Sequence, residues 1–289
     1  MNLLVRINLA LAIAFAVAAV AVGFACSSML QANAKREVLR EAGIMMDSAR
    51  ATRAYTAEEI GPLIDAQMTH KFLPQSVPSY GATQDFLKLH ELHPEYSYKE
   101  AALNPTNLRD RAMDWESDLI QQFRNNPQTR ELVGERNTPV GRSLYLARPI
   151  RVEQACLVCH SQPAAAPVAL VERYGGNNGF GWQPHEVVAA QVVSVPLSSA
   201  TASADLVLRS VMVWIGIILV GALLIVNAFL YFLVIRPVKR IASVADELSM
   251  GNLAAGDCPA VGSTELAGLA RSFNRMRASL EKAMKLLES

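Results

Sequence analysis

Val211–Ile235 reads VMVWIGIILVGALLIVNAFLYFLVI, 25 residues without a charge, of which 22 are hydrophobic. A helix rises about 1.5 Å per residue, so this run is roughly 37 Å long and can cross a hydrocarbon core of about 30 Å. Arg236, Lys239 and Arg240 follow it directly. Basic residues collect on the cytoplasmic side of a span, which places the C-terminal side there. A second run, Ile7–Leu30, has 24 residues without a charge, 20 of them hydrophobic. Both runs read as membrane-spanning helices. They leave the 180 residues Gln31–Ser210 on the outer side and Arg236–Ser289 in the cytoplasm.

The competing reading of the first run is a cleaved signal peptide, since Arg6 precedes it. Its length exceeds the usual apolar region of about 7–15 residues in such peptides. Gly23-Phe24-Ala25 before Cys26 also puts a bulky aromatic where a lipoprotein site prefers a small residue. An uncleaved anchor is expected. Orientation rests on the second span, because Lys35, Arg36 and Arg40 lie outside the first while only Arg6 lies within.

The whole chain is 51% hydrophobic with a mean hydropathy of +0.19, an average of two apolar helices and otherwise ordinary water-facing sequence. Its 27 basic and 26 acidic side chains give a net charge of +1. Nucleic-acid binding is not expected, because no positive excess exists to neutralise phosphates. Intrinsic disorder is excluded by the same balance together with the apolar content.

Gln31–Arg53 lacks proline and is rich in Ala, Arg, Glu, Leu and Met, so it continues the first span as a helix. Thr56-Ala57-Glu58-Glu59 has the pattern of a capping box and predicts a fresh helical start, with a bend permitted at Gly61-Pro62. Leu73–Ser79, holding Pro74 and Pro78, reads as a loop, and Leu108–Arg124 as a helix. Strand character follows in Ser143–Val152, after a turn at Asn137–Gly141, and in Val187–Leu197. The outer segment is therefore α+β, helices first and then a small antiparallel sheet that feeds the second span.

Between those strands lies Cys156-Leu157-Val158-Cys159-His160. Two thiols at this spacing meet the two vinyl groups of a haem, and the histidine that follows ligates iron from one face. A redox disulfide has no use for His160, and a zinc site wants a second pair of ligands at short spacing that the chain does not offer. Cys26 lies in the first span and Cys258 beyond the second, so Cys156 and Cys159 are the two cysteines of the outer segment. One covalent haem c is expected, with Cys156 and Cys159 as attachment points and His160 as iron ligand. The sixth ligand is not fixed by spacing: Met45, Met46, Met68, His70, His90, His93, Met113, His185 and an open or water-bound iron are the alternatives. Met46 has Arg50 and Arg53 at i+4 and i+7 on the same helix face, where they can pair with haem propionates. The glycine-rich run Tyr174–Trp182 lacks the features of a nucleotide loop and is expected to pack Phe180 and Trp182 against the haem or the core.

After the second span, Val238, Ile241, Val244, Ala245 and Leu248 fall at helical spacing, as do Leu266, Leu269, Phe273, Met276 and Leu280. Gly251, Gly256 and Gly262 mark a connector between them. With Arg236-Pro237-Val238 at entry, Gly251-Asn252-Leu253 at the first exit, and Glu265-Leu266 and Ser272-Phe273-Asn274-Arg275-Met276 beyond, this segment resembles a HAMP domain. It departs from the pattern at Thr264, where the residue before Glu265 is usually acidic. The resemblance implies a four-helix bundle made by two chains, hence a homodimer. The outer segment resembles haem-binding, PAS-like bacterial sensor domains that precede HAMP domains. That resemblance is carried by Arg53–Thr56, Phe72–Pro78, Tyr145–Ile150, Cys156–His160 and Asn178–Trp182. It implies His160 as proximal ligand and a distal ligand from the N-terminal helix, where this chain offers Met45 and Met46.

The expected protein is thus a two-pass protein of the bacterial inner membrane: spans at Ile7–Leu30 and Val211–Ile235, a periplasmic PAS-like haem domain at Gln31–Ser210, and a cytoplasmic HAMP bundle at Arg236–Ser289. Its expected role is non-enzymatic, sensing redox state or a diatomic gas and relaying it through HAMP. Because the chain stops soon after the second HAMP helix, the output is expected in a separate cytoplasmic protein unless the chain is shortened. The alternatives are a membrane-anchored cytochrome carrying electrons, and ligand sensing by the PAS-like domain with haem as a staple.

Overall fold

Apolar helix-forming sequence from Leu4 onward makes a single helix, α1 (Leu3–Tyr55), in a computed structural model that describes residues 3–68, 71–139, 141–252, 256–258 and 264–287. Val140 of the expected turn, His70 among the candidate ligands, and Leu253, Gly262 and Ser263 of the connector lie outside the described residues. Two helical stretches, Leu4–Ile64 and Ala200–Ser249, are long and apolar enough to cross a membrane. The chain divides into two compact units, Ala25–Leu208 and the pair Met1–Phe24 with Arg209–Ser289.

In the first unit, four antiparallel strands form one sheet in the order β1-β4-β3-β2, with β1 Ser97–Ala102, β2 Leu132–Thr138, β3 Gly141–Arg151 and β4 Val187–Pro196. Side chains alternate between faces of a strand. On one face, Leu144, Leu146, Val193 and Val195 pack against Val38, Ala42, Met45, Met46 and Ala49 of α1, and against Ala82 and Phe86 of α3 (Pro78–Leu92). On the other, Ala147, Ala190 and Val192 pack against Leu119, Ile120 and Phe123 of α4 (Asp114–Asn125). β4 is paired on both sides and is buried along nearly its whole length, which explains its almost continuous apolar run.

The structure corrects several local expectations. Thr56 does not cap a new helix. The chain passes from α1 through a π-helical turn, Thr56–Ile60, into α2 (Gly61–Met68), and the Thr56 hydroxyl donates to the Thr52 carbonyl one turn back. Pro62 lacks an amide hydrogen and its ring crowds the carbonyl four residues earlier; the wider turn accommodates it without ending the helix. The expected loop at Leu73–Ser79 closes at Val77, because Pro78 takes the first-turn position of α3, where its missing donor costs nothing. The helix expected from Leu108 begins at Asp114, where buried Glu116 accepts from the Met113 amide and from Lys99. β1 precedes α4, so the sheet is not built after the helices. Ser-Tyr-Lys-Glu-Ala-Ala has weak strand propensity and gains its conformation from pairing with β4.

In the second unit, α7 (Ser198–Phe229) runs through another π-helical turn, Leu230–Ile235, into α8 (Arg236–Ser249), again just before a proline, Pro237. Asn8 and Asn227 exchange two side-chain hydrogen bonds of 2.8 Å between the spans. The Met212 sulfur lies 3.1 Å from where a Cβ on Gly23 would sit. α9 (Thr264–Leu287) holds the connector: Asn274 accepts from the Cys258 amide and donates to its carbonyl, both at 2.9 Å.

Candidate functional site

Beyond β3, Val152 continues the pairing with the far end of β4 through its amide to the Glu186 carbonyl. The chain then turns through a 3-10 segment, Gln154–Cys156, into the one-turn helix α5 (Leu157–His160). The glycine-rich segment runs beside this turn and is fastened to it by two backbone bonds, Gly181 amide to Ser161 carbonyl and Trp182 amide to His160 carbonyl. Gly179 has a positive φ of 81°, and a Cβ there would lie 2.9 Å from both the Cα and the amide nitrogen of Thr106. Only glycine lets this loop pass so close.

The passage sets the chemistry of His160. Its Nδ1 lies 2.6 Å from the Gly179 carbonyl. A carbonyl can only accept, so Nδ1 carries the hydrogen and Nε2 keeps its lone pair. Trp182 stacks on the ring at 3.9 Å and 12°, and the Thr106 hydroxyl lies 3.5 Å from Nδ1. Burial, opposed by the Gly179 bond, holds the imidazole pKa below its ordinary value and favours the neutral, ligating form.

The two thiols are free and face different apolar clusters. Cys156 packs with Ala102, Val152, Val188 and Ala189, and Cys159 with Phe72, Ala166 and Leu170, the last on the short helix α6 (Val168–Tyr174). Burial, and then the neighbouring Cys156, push the Cys159 thiol upward. Among the described residues no three His, Cys, Asp or Glu side chains gather into a metal cluster.

A polar row crosses the α1-facing side of the sheet, between the methionine core and the cysteine turn. Arg148, Gln191 and Glu100 lie directly opposite one another on β3, β4 and β1. Arg53 of α1 donates to Glu100 at 2.5 Å, the Tyr98 hydroxyl donates to Glu100 at 2.7 Å, and Gln191 donates to Tyr98 at 2.9 Å. Burial works against the Arg53 charge, but Glu100 more than offsets it, so its pKa stands above the ordinary value; Cys156 also acts on it electrostatically. Arg53 pairs with Glu100, two residues along β1 from the Ala102 that Cys156 packs against, whereas Arg50, exposed one turn earlier, borders a cleft with Arg148 and Arg151.

The structure places Met45 and Met46 in the apolar layer under β3 and β4, Met46 with no exposure. They share no core cluster with Cys156 or Cys159. Of the other candidates, His90 bonds the Tyr96 carbonyl, His93 lies near Glu95, Met113 is exposed at the start of α4, and His185 is an exposed turn residue with a φ of 66°. Sequence reasoning missed Thr106, Tyr98, Glu100 and Gln191. Nothing local links them to the motif, since Arg53 and Glu100 are 47 residues apart.

The Tll0287-like family matches residues 31–196, and the HAMP domain matches residues 229–282. Among solved structures, the cyanobacterial heme-protein Tll0287 is similar at 16% identity and a TM-score of 0.44, over 55% of this chain and 95% of that one. No curated protein matches the chain in sequence. The family match takes in the helices, the sheet and the cysteine turn together, and on that extent the chain belongs to the Tll0287-like family, with a HAMP region after its second span.

Proposed function

We propose that this chain is a transmembrane sensor of redox state or of a diatomic gas, working through one covalently attached periplasmic haem c. The observation that carries the reading is the cysteine turn: Cys156 at the entry to α5 and Cys159 within it form no disulfide, and His160 offers Nε2 because Nδ1 is committed to Gly179. A haem bound there supplies a one-electron couple and an iron site open to small ligands. The chain's own contribution is orientation. Gly179 and Trp182 fix the plane of His160, and Arg53 places a half-buried positive charge, paired with Glu100, on the α1 side of the sheet. Met45 and Met46, buried in the layer between α1 and the sheet, would be the chain's own donors for a sixth iron ligand in place of a small ligand.

The HAMP region and the exposed apolar positions Val238, Leu269, Met276 and Leu280 support a homodimer whose helices pair in the cytoplasm. In this reading, a shift at α1 or at β4 biases two packings of that bundle, and a separate cytoplasmic protein reads the result.

The test is an absorption spectrum of the purified full chain, oxidised, reduced and with carbon monoxide. A covalent haem spectrum that His160→Ala alters, together with a changed cytoplasmic output, is the expected result. An unaltered output with haem verifiably lost overturns the sensor. Fast electron exchange with a periplasmic donor and no signalling phenotype instead favours an electron-carrying cytochrome. The volume-conserving Met46→Leu tests the sixth ligand: a changed ligand-field spectrum assigns Met46 to the iron, and an unchanged one returns it to the core.

A further inference from the structure

A cleft of about 400 Å³ opens between α1, β3 and the loop after α4, and four arginines border it: Arg50, Arg130, Arg148 and Arg151. Arg50 and Arg130 are exposed and water screens part of their repulsion, but four like charges around one cleft still favour an anion there. Two of the four are engaged. Arg148 pairs with Asp47 at 2.8 Å and Glu131 at 3.5 Å, and Arg151 donates to the Pro127 carbonyl at 2.6 Å. Arg50 and Arg130 have no ion pair or hydrogen bond among the described residues, and no acidic residue borders the cleft. Pro127 and Pro149 add apolar wall. The volume is at the small end of the range for small-molecule pockets.

We propose that this cleft binds a small organic dianion, a dicarboxylate of few carbons, with one carboxylate on the Arg50 fork and the other on Arg130. A guanidinium presents paired donors that match the two oxygens of a carboxylate, and a short methylene linker suits the proline wall. The cleft also reaches the cysteine turn. Gln191 lines it and begins the chain Gln191–Tyr98–Glu100–Arg53, and Glu100 lies two residues along β1 from Ala102, against which Cys156 packs. Negative charge arriving in the cleft stabilises the more positive oxidised state of a centre held at that turn, so ligand binding lowers its midpoint potential. Binding itself stands apart from the sensor reading; only this coupling rests on it.

The test is calorimetric titration of the haem-loaded full chain with succinate, and separately with inorganic phosphate, at fixed ionic strength. Saturable succinate binding that Arg130→Ala and Arg50→Ala each weaken by about tenfold, the loss of one charge-assisted contact, is expected. Arg130 lies outside every strand and helix, so its variant keeps the fold, and an unchanged haem spectrum verifies this. Succinate binding absent, or unmoved by both substitutions, overturns the proposal. So does binding to the haem-free chain alone, which would mean that the propionates fill the cleft. Phosphate binding with equal affinity overturns the dicarboxylate assignment. If the chain proves to carry no haem while succinate binds as described, the sensor reading fails and the anion site stands.

Discussion

At the scale of single residues, the site is built from groups that commit one another. Glu100 is 5% exposed and faces Arg53, so removing it leaves a guanidinium facing a site shaped for a pair. Glu100→Ala should cost about 1–3 kcal/mol, less than for a fully buried pair because the Arg53 side chain is 28% exposed and regains water. Thermal unfolding followed by circular dichroism measures it. The double variant Arg53→Met with Glu100→Leu should lose less than Glu100→Ala alone; a larger loss would mean that the pair is worth more than its desolvation. Gly179→Ala makes the complementary test. The new methyl meets Thr106 backbone in a conformation unfavourable to alanine, a cost of about 1–3 kcal/mol from overpacking alone, and it displaces the carbonyl that orients His160. Lower stability with an altered haem spectrum is expected, and a silent substitution would show that the loop does not position the imidazole. The five-residue motif around His160 was legible because its spacing is itself the chemistry. Glu100, Tyr98 and Gln191 were not, because their roles arise from strand register, and register is not written in any one segment.

Among elements, one feature recurs where a long helix meets a proline. A π-helical turn precedes Pro62 and another precedes Pro237, closed by the Gly61 and Arg236 amides on carbonyls five residues back. Each lets a helix pass a residue that would otherwise break it. The prolines were visible in the sequence and suggested a bend or an entry point, but the extra residue in the turn was not. An uncharged apolar run found α7, and β-branched and apolar content found the strands β3 and β4. Both signals missed α3, β1 and β2, whose weak patterns are completed by α1, β4 and β3, and Asn137 and Thr138 of the expected turn belong to β2. The spans carry their own register. Asn8 and Gly23 are separated by 15 residues, as are Met212 and Asn227, so one antiparallel alignment serves both contacts. In a double-mutant cycle of Asn8→Leu and Asn227→Leu, the coupling should be about 0.6 kcal/mol and no more than about 1.7, the range for hydrogen bonds between membrane helices. Unfolding of the full chain in micelles provides the reading. Additive effects would show that the amides do not recognise each other.

For the molecule as a whole, the decisive matter is whether a change at the cysteine turn is felt across the membrane, and Cys258 provides a reporter. Its side chain is 1% exposed, and burial, with smaller effects from Arg277, Asp257 and Arg240, raises its thiol pKa. Its reactivity at neutral pH is therefore low and should increase as the solution is made more alkaline, because alkylation requires the thiolate. Asn274 holds the backbone on both sides of it, and Arg277 pairs with Asp257 next to it. Asn274→Ala should release the connector and speed labelling by iodoacetamide at any redox state. If Cys156 and Cys159 hold haem as proposed, the labelling rate of Cys258 in the unaltered chain should differ between oxidised and reduced protein, because the two proposed packings of α8 and α9 would not bury the connector equally. The same difference should vanish in His160→Ala. If wild-type labelling is identical in both redox states while Asn274→Ala labels fast, the reporter works and no redox signal reaches HAMP. The haem would then be an electron carrier or a staple, and the input would have to come from a ligand such as the one proposed for the arginine cleft.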